Sequence, residues 1–175
     1  MNAIFIPQRC ALQGITQNYK EPKSMIRILF VCHGNICRSP MGEYLLRDIA
    51  ARKGWTEADL LIESAATSTE EIGNHVYPPV KKLLEEHGIN CSKKRARRLK
   101  HDEYWNWDYI IAFDNENVRE IARICGPDIG HKVHLLKSYI GDSGEIADPW
   151  YTRDFQTCYD ETYAGCEELL KIITR

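Results

Sequence analysis

The sequence lacks the features that mark several large classes of protein. No apolar run approaches the length of about 20 residues that a membrane-spanning helix needs. The 7 cysteines are odd in number and none forms a C-x-x-C pair, which argues against a secreted disulfide framework and a zinc ribbon or finger. Lysine and arginine (23 residues) nearly balance aspartate and glutamate (25), and the net charge of −2 does not indicate a nucleic-acid-binding protein. We therefore expect neither a membrane nor a nucleic acid as a partner.

The composition of the 175 residues is that of one folded domain. Hydrophobic residues make up 43 % and charged residues 27 %, a balance that excludes a disordered chain and a coiled coil. The N-terminus lacks the cationic start and long apolar core of a signal peptide. Because the cysteines are best explained as reduced thiols, we expect a cytoplasmic protein.

The first 24 residues differ from the rest of the chain. They show no sustained periodicity and contain Pro7, Gly14 and Pro22, whereas Met25 is followed at once by an apolar run. We predict an N-terminal extension without a catalytic role over residues 1–24 and a single functional domain over residues 25–175.

Short apolar runs alternate with segments in which apolar residues recur at helical spacing. The runs predict strands over residues 26–32, 60–66, 109–113 and 133–136. The helical spacings, several of them closed by a glycine, predict helices over residues 40–54, 80–87, 115–125 and 155–173. Strands that alternate with helices imply right-handed βαβ crossovers. The predicted fold is α/β, a single three-layer domain with a four-stranded parallel sheet and helices on both faces.

The first predicted strand leads through a glycine-containing loop into a helix. The loop residues are Cys32, His33, Gly34, Asn35, Ile36, Cys37, Arg38 and Ser39. In open α/β sheets, ligands bind beyond the carboxyl ends of the strands. A loop that opens a helix offers free backbone N–H groups and the positive end of the helix dipole, which favour a phosphate. Gly34 lets the backbone approach closely, and Asn35 tolerates the left-handed conformation that a tight cradle requires.

Two side chains add chemistry to this loop. The planar guanidinium of Arg38 can grip two phosphate oxygens. Cys32 lies in the same positive field, which favours its thiolate, and Ser39 can donate a hydrogen bond to the sulfur. The loop is therefore predicted to bind phosphate and to activate a nucleophile.

The spacing of the cysteine and the arginine is weak evidence by itself. Cys91 and Arg97 have the same Cys-x5-Arg spacing. They lie in and beside a charged stretch, residues 93–100, without the succession of strand, glycine loop and helix. We interpret this second pair as a coincidence.

The string V-C-H-G-N-I-C-R-S-P, residues 31–40, closely resembles the signature of the low molecular weight protein tyrosine phosphatases. The resemblance extends from about Met25 to the C-terminus and includes the order of strands and helices. It implies that residues 25–175 form a phosphatase domain in which Cys32 is the nucleophile and Arg38 the phosphate clamp. It also implies a phosphotyrosine-containing protein or peptide as the partner.

The resemblance assigns roles to the other loop residues. Asn35 and Ser39 would organise the loop. Cys37 matches a second loop cysteine that can form a protective disulfide with Cys32 under oxidation. The residues expected to contact the phosphate or the substrate in this loop are His33, Gly34, Asn35, Ile36, Cys37 and Ser39.

A phosphatase must also protonate the leaving oxygen, and Asp148 is the candidate for this step. It lies in the long loop after the fourth predicted strand, and therefore at the same sheet edge as Cys32. Asp148-Pro149-Trp150-Tyr151 resembles the family's Asp-Pro-aromatic-Tyr motif, whose Asp is the general acid. Trp150 and Tyr151 are expected to wall the slot for the phosphorylated ring.

The predicted reaction passes through a phosphocysteine. Cys32 attacks phosphorus, Asp148 protonates the departing phenolate, and Asp148 then activates the water that hydrolyses the intermediate. Arg38 and the loop amides hold the phosphate oxygens, so the reaction is expected to need no metal and no cofactor. Small aryl phosphates are expected substrates as well.

Three stretches depart from the family pattern. Lys94-Arg95-Ala96-Arg97 replaces a His-x-Ala-Arg stretch, and Ser64-Ala65-Ala66-Thr67 replaces Ser-Ala-Gly-Thr. Glu70 stands where many relatives have an aromatic residue, which leaves one wall of the substrate slot open. The basic stretch 93–100 is interpreted as a solvated charged face, with a rim for acidic peptides as the alternative.

Protein-arginine phosphatases are one alternative with the same fold. Their loops resemble this one but carry Thr at the position of Ile36, and they lack paired aromatic residues after the Asp-Pro. Ile36, Trp150 and Tyr151 therefore favour phosphotyrosine. We expect a monomer or a weak dimer.

Thioredoxin-coupled arsenate reductases are a second alternative, since they share the fold and the loop. They need a further pair of closely spaced cysteines, whereas Cys91 has no close partner in the sequence, and Cys158 and Cys166 fit the apolar stripe of the last helix. A phosphate-binding or redox-sensing module without catalysis is disfavoured because nucleophile, clamp and acid are all present.

Overall fold

Four parallel strands form the sheet that carries the loop. In this computed structural model, which describes residues 25–175, they are β1 (Ile26–Cys32), β2 (Leu60–Ala66), β3 (Tyr109–Ala112) and β4 (Val133–Leu135). Their order across the sheet is β2-β1-β3-β4, and every pair is parallel. Cys32 therefore ends an interior strand and pairs with Ala66 at the end of β2. The prediction made for residues 1–24 lies outside the described residues.

Helices cover both faces of the sheet. They are α1 (Arg38–Arg52), α2 (Pro78–Glu86), α3 (Asn115–Cys125), α4 (Pro149–Thr152) and α5 (Phe155–Ile173), with 3₁₀ turns at Tyr104–Asn106 and Leu136–Ile140. Alternate residues of β1 enter separate cores, as the pleat requires: Ile28 and Phe30 pack with α1, α2 and α5, and Leu29 and Val31 pack with α3. The predicted fold, a three-layer α/β domain with a four-stranded parallel sheet, is confirmed.

Close packing fixes the start of α1 relative to the end of β1. A Cβ at Gly42 of α1 would lie 2.6 Å from the ring of Phe30 in β1, so only glycine allows this approach. In the same way, a Cβ at Gly165 of α5 would lie 2.6 Å from Cγ of Leu136. Because such interiors tolerate little displacement, the loop between β1 and α1 has little freedom to change shape.

Most boundaries differ from the predictions by one or two residues, and two differences affect the site. α1 begins at Arg38 rather than at Pro40, so Arg38 already belongs to the first helical turn. The predicted loop over residues 138–153 contains α4, which is too short to show a helical period in the sequence. Its start is explained by Asp148, whose carboxylate accepts a hydrogen bond from the N–H of Trp150. Within residues 25–175, no helix combines the length and the apolarity needed to cross a bilayer.

Candidate active site

The loop after β1 brings the start of α1 to the sulfur of Cys32. Asn35 adopts the left-handed conformation, with φ of 56°, and reverses the chain. As a result the backbone N–H of Ser39 points at Cys32 Sγ from 3.4 Å. Free N–H groups at the first turn of a helix attract negative charge, so this position favours a thiolate or a phosphate.

Asn35 is the centre of a buried hydrogen-bond network behind the loop. Its side-chain Nδ2 donates to Ser39 Oγ and to Ser64 Oγ, each at 2.8 Å. Ser64 Oγ in turn donates to a carboxylate oxygen of Glu43 at 2.6 Å. All four side chains are buried, and each bond satisfies a polar group that would otherwise be costly to bury.

This network leaves the Ser39 hydroxyl free to donate a hydrogen bond to the nucleophile. Ser39 Oγ lies 3.0 Å from Cys32 Sγ, a contact in which either atom could donate. Because Ser39 Oγ already accepts from Asn35, its proton is free for another acceptor. The alternative acceptor, the carbonyl oxygen of Ala65, is 3.4 Å away, so the sulfur is the closer partner. Ser39 thus stabilises negative charge on Cys32.

Lys94 anchors the far end of the network. Its Nζ lies 2.7 Å from Glu43 Oε2 and donates to the carbonyl oxygen of Ser64 at 3.2 Å. The side chains of Lys94 and Glu43 are only 11 % and 4 % exposed, so the charge of Lys94 depends on Glu43, whose other oxygen pairs with the half-exposed Arg47 at 3.1 Å. The backbone N–H of Arg97 donates to Asn35 Oδ1 at 3.1 Å. The stretch 94–97 therefore supports the loop from behind.

The rest of the basic stretch faces away from Cys32. The guanidinium of Arg97 pairs with Glu63 at 2.9 Å and with Glu103 at 2.8 Å. Residues 93–100 are absent from the lining of the cavity at Cys32. Lys94 departs from the predicted solvated face because it fills a buried position beside Glu43, and nothing in this stretch forms a rim around the site.

Arg38 is held by carboxylates from two other segments. Its guanidinium donates to Asp114 at 2.5 Å, to Asp148 at 2.7 Å and to the carbonyl oxygen of Ile146 at 3.1 Å. Burial opposes the charge of Arg38, but the negative charges of Cys32, Asp148 and Asp114 outweigh it and raise the pKa of the guanidinium above its ordinary value. Among the described residues, the buried Arg38 Nε has no hydrogen-bond partner. That N–H is therefore available to a ligand.

Asp148 connects the fourth-strand loop to the arginine. One of its oxygens caps α4 through the N–H of Trp150 at 3.0 Å, and the other accepts from Arg38. Its side chain remains 21 % exposed and lines the same cavity as Cys32. A carboxyl in this position can exchange a proton with a ligand bound on the loop.

A cavity of about 120 Å³ joins these groups. It is lined by Cys32, His33, Gly34, Ile36, Cys37, Arg38, Glu70, Glu71, Asp148, Trp150 and Tyr151. Trp150 packs edge-on against Tyr77, with ring centroids 5.1 Å apart, while Tyr151 is 82 % exposed. Of the residues predicted for the site, nine line the cavity, and Asn35 and Ser39 lie behind it in the network.

The cysteines near Cys32 differ from it in their surroundings. Burial, with a smaller contribution from the charge of Cys32, raises the pKa of the Cys37 thiol far above the ordinary range. Burial raises the pKa of Cys158 on α5 to about 12. Both thiols are therefore protonated near neutral pH, and neither competes with Cys32 as a thiolate.

Known proteins resemble this chain over most of its length. The family model described as low molecular weight phosphotyrosine protein phosphatase matches residues 27–175. This chain belongs to that family. A low molecular weight protein-tyrosine-phosphatase of Bacillus subtilis, YfkJ, is 37 % identical over 86 % of this chain and 97 % of its own length. A low molecular weight phosphotyrosine protein phosphatase of Gallus gallus is 36 % identical over 82 % of this chain and 93 % of its own.

Solved structures give the same result for the fold. The crystal structure of YfkJ from Bacillus subtilis matches with a TM-score of 0.82, covering 86 % of this chain and 96 % of that one. The Drosophila arginine phosphatase DARP is 28 % identical and matches with a TM-score of 0.77, covering 86 % of this chain and 99 % of that one. Proteins with this fold are thus named as tyrosine phosphatases and, in the case of DARP, as an arginine phosphatase.

Four residues that support the loop and Arg38 in this family member were not predicted for the site. Glu43, Ser64 and Lys94 complete the network, and Asp114 holds Arg38 while its other oxygen caps α3 through the N–H of Asn117 at 2.7 Å. In the sequence, Asp114 stands immediately before the helix predicted over residues 115–125, where capping alone explains an aspartate. Arg38, the other partner of Asp114, lies 76 positions away in the sequence, and no local pattern predicts such a contact.

Proposed function

We propose that this phosphatase hydrolyses phosphotyrosine in phosphoproteins, and small aryl phosphates, through a phosphocysteine formed on Cys32. One observation carries the proposal: the sulfur of Cys32, the guanidinium of Arg38 and the carboxyl of Asp148 line a single small cavity. A nucleophile, an anion clamp and a proton donor are what transfer of a phosphoryl group to sulfur requires.

Substrate binding exchanges one anion for another at Arg38. In this structure, Asp148 accepts from one amino group of the guanidinium, while Asp114 and the carbonyl oxygen of Ile146 accept from the other. A phosphate dianion that enters the cavity can take the place of Asp148 and use the free Arg38 Nε. Its negative charge favours the protonated form of the displaced carboxyl, which is the form that a general acid needs.

The chemical step breaks the bond between phosphorus and the tyrosine oxygen. The Cys32 thiolate attacks phosphorus and forms the sulfur–phosphorus bond, while Asp148 gives its proton to the departing phenolate oxygen. Arg38 and the N–H groups of the loop stabilise the three equatorial oxygens throughout.

Hydrolysis restores the enzyme. Asp148, now ionised, removes a proton from water as the water attacks phosphorus, and the sulfur leaves as a thiolate. Ser39 donates a hydrogen bond to that leaving sulfur, because a thiolate can only accept. Inorganic phosphate is then released and Asp148 is protonated again.

Hydrolysis of p-nitrophenyl phosphate by three proteins tests this proposal. Wild type is expected to be active, Cys32→Ser to lose activity by roughly 10⁴-fold or more, and Asp148→Ala to lose about 10²- to 10⁴-fold. The Asp148→Ala protein should also lose the limb of the pH profile that belongs to the general acid. A Cys32→Ser protein that keeps its activity would contradict the mechanism.

Matched phosphotyrosine and phosphoarginine peptides distinguish the proposal from the arginine phosphatase alternative. Ile36 and the aromatic wall at Trp150 support a preference for phosphotyrosine. The arsenate reductase alternative has less support, because Cys158 and Cys166 lie in the core on α5 and are 3 % and 0 % exposed. Turnover of arsenate with thioredoxin, but not of aryl phosphates, would decide in favour of a reductase.

Oxidation of the loop is part of the proposal. Peroxide would convert the Cys32 thiolate to a sulfenic acid, and the Cys37 thiol would then displace water to give a disulfide. Both cysteines line the cavity. Peroxide treatment followed by peptide mapping should detect a Cys32–Cys37 bond that a dithiol reverses, and an inactivated sample without this bond would contradict it.

Two further predictions stay open to experiment. We propose that residues 25–175 are the phosphatase domain and that residues 1–24 have no catalytic role. Comparable kcat/KM for chains with and without the extension is expected. Sedimentation velocity tests the prediction of a monomer or a weak dimer.

A further inference from the structure

The cavity at Cys32 has a floor and a rim of different character. The loop and Arg38 form the floor, and the buried, unpartnered Arg38 Nε indicates independently that an anion belongs there. With a volume of about 120 Å³, the cavity accommodates the phosphoryl group and the ring that carries it. The residues that flank a phosphotyrosine in a peptide must therefore lie at the rim.

Two glutamates, Glu70 and Glu71, form one side of that rim. The side chain of Glu70 is 70 % exposed, and its Oε2 lies 3.2 Å from Nε2 of the half-exposed His33. Glu71 lies over the loop, since a Cβ added to Gly34 would be 3.2 Å from Glu71 Cγ. Its carboxylate accepts a hydrogen bond from Asn74 at 2.7 Å, which holds it in place.

Apart from His33, which pairs with Glu70 and is charged only when protonated, Arg38 is the one cationic side chain among the described residues that line the cavity. Arg38 is 2 % exposed and already meets two carboxylates. Arg153 lies 5.4 Å from the ring centroid of Trp150 and donates to Tyr77, but it does not line the cavity. The basic stretch 93–100 does not reach the cavity either. A peptide therefore meets net negative charge where it approaches Glu70 and Glu71.

We propose that Glu70 and Glu71 select phosphotyrosine sites that have lysine or arginine next to the phosphotyrosine. This inference rests on the proposed function and names the class of substrate within it. This preference for basic sites is the opposite of the preference for acidic peptides that the basic stretch 93–100 alone suggested. Exposed ion pairs are weak, so the expected preference is roughly threefold to fivefold in kcat/KM.

Two phosphotyrosine peptides that differ only at the positions beside the phosphotyrosine test the inference. One carries lysine there and the other glutamate, and kcat/KM is measured for each. Wild type should prefer the lysine peptide, and the double variant Glu70→Lys/Glu71→Lys should prefer the glutamate peptide. In 1 M salt, where the screening length is about 3 Å, the wild-type preference should largely disappear.

The control reverses the same charge at the opposite edge of the sheet. Glu57 is exposed and precedes β2, whereas Cys32 lies at the other end of the paired strands. Glu57→Lys should keep the wild-type ratio between the two peptides. A wild-type protein that hydrolyses p-nitrophenyl phosphate but treats the peptides alike, or prefers glutamate, would overturn this inference alone. A protein inert toward p-nitrophenyl phosphate would overturn the proposed function itself.

Discussion

Two segments of this chain share the spacing Cys-x5-Arg and have different structures. Cys32 ends β1 and Arg38 begins α1, so a helix N-terminus meets the sulfur. Cys91 follows α2 in a turn and is 1 % exposed, and the guanidinium of Arg97 pairs with Glu63 and Glu103. The comparison teaches that the site depends on where the strand ends and the helix starts. The number of residues between cysteine and arginine is secondary.

The second segment nevertheless serves the first. Lys94 pairs with Glu43, and the backbone N–H of Arg97 donates to Asn35. Both contacts belong to the network that holds the Ser39 hydroxyl beside Cys32. A segment that imitates the active loop in sequence is therefore a support for it in the structure.

The largest expected contrast is between the two cysteines. Cys32→Ser should lower kcat for an aryl phosphate by roughly 10⁴-fold or more, because the nucleophile is lost. Cys91→Ser should keep kcat within about twofold, since Cys91 is absent from the cavity and such buried substitutions act chiefly on stability. Initial rates corrected for the folded fraction measure both. Comparable losses in the two variants would contradict the assignment of Cys32.

The next contrast is between the two arginines. Arg38→Lys keeps the charge but loses the planar fork, so we expect a fall in kcat/KM of roughly 10²- to 10³-fold. Arg97→Lys keeps both the backbone N–H that donates to Asn35 and the positive charge beside Glu63 and Glu103, and these pairs lie outside the cavity, so a change below about threefold is expected. Inhibition by inorganic phosphate should weaken in the first variant and stay unchanged in the second. Equal phosphate inhibition in both would contradict the role of Arg38.

Replacing Lys94 is expected to have a smaller effect, which falls on the stability of the fold. Lys94→Met removes the buried cation and leaves the carboxylate of Glu43 with only the half-exposed Arg47, 3.1 Å away, so a loss of about 2 kcal/mol in the free energy of unfolding is expected. Lys82→Met is the matched control, because its pair with Glu86 is exposed and 3.8 Å long, and should change little. Urea denaturation of the two variants measures the difference. If both are as stable as wild type, the Lys94–Glu43 pair does not support the loop.

The sequence was most informative where neighbouring residues form the site. The loop from Cys32 to Ser39 is continuous in the chain, and its place between a strand and a helix could be predicted from local patterns. The contact between Asn35 and Ser64 spans 29 positions, and that between Arg38 and Asp114 spans 76. Such contacts depend on how the helices pack on the sheet, and local spacing contains no information about that packing. Short elements such as α4 escape prediction for another reason, since four residues show no period.

The smallest expected effect concerns the reactivity of the Cys91 thiol toward an alkylating reagent. Burial, with a further contribution from Glu85, raises its pKa above the ordinary value, so its thiolate fraction near neutral pH is below that of a free cysteine. Iodoacetamide at neutral pH should therefore modify Cys32 and leave Cys91 unmodified in the folded protein, as peptide mapping would show. In urea, where burial is lost, Cys91 should become reactive. Equal labelling of Cys32 and Cys91 in the folded protein would mean that their environments, and not only their spacings, are alike.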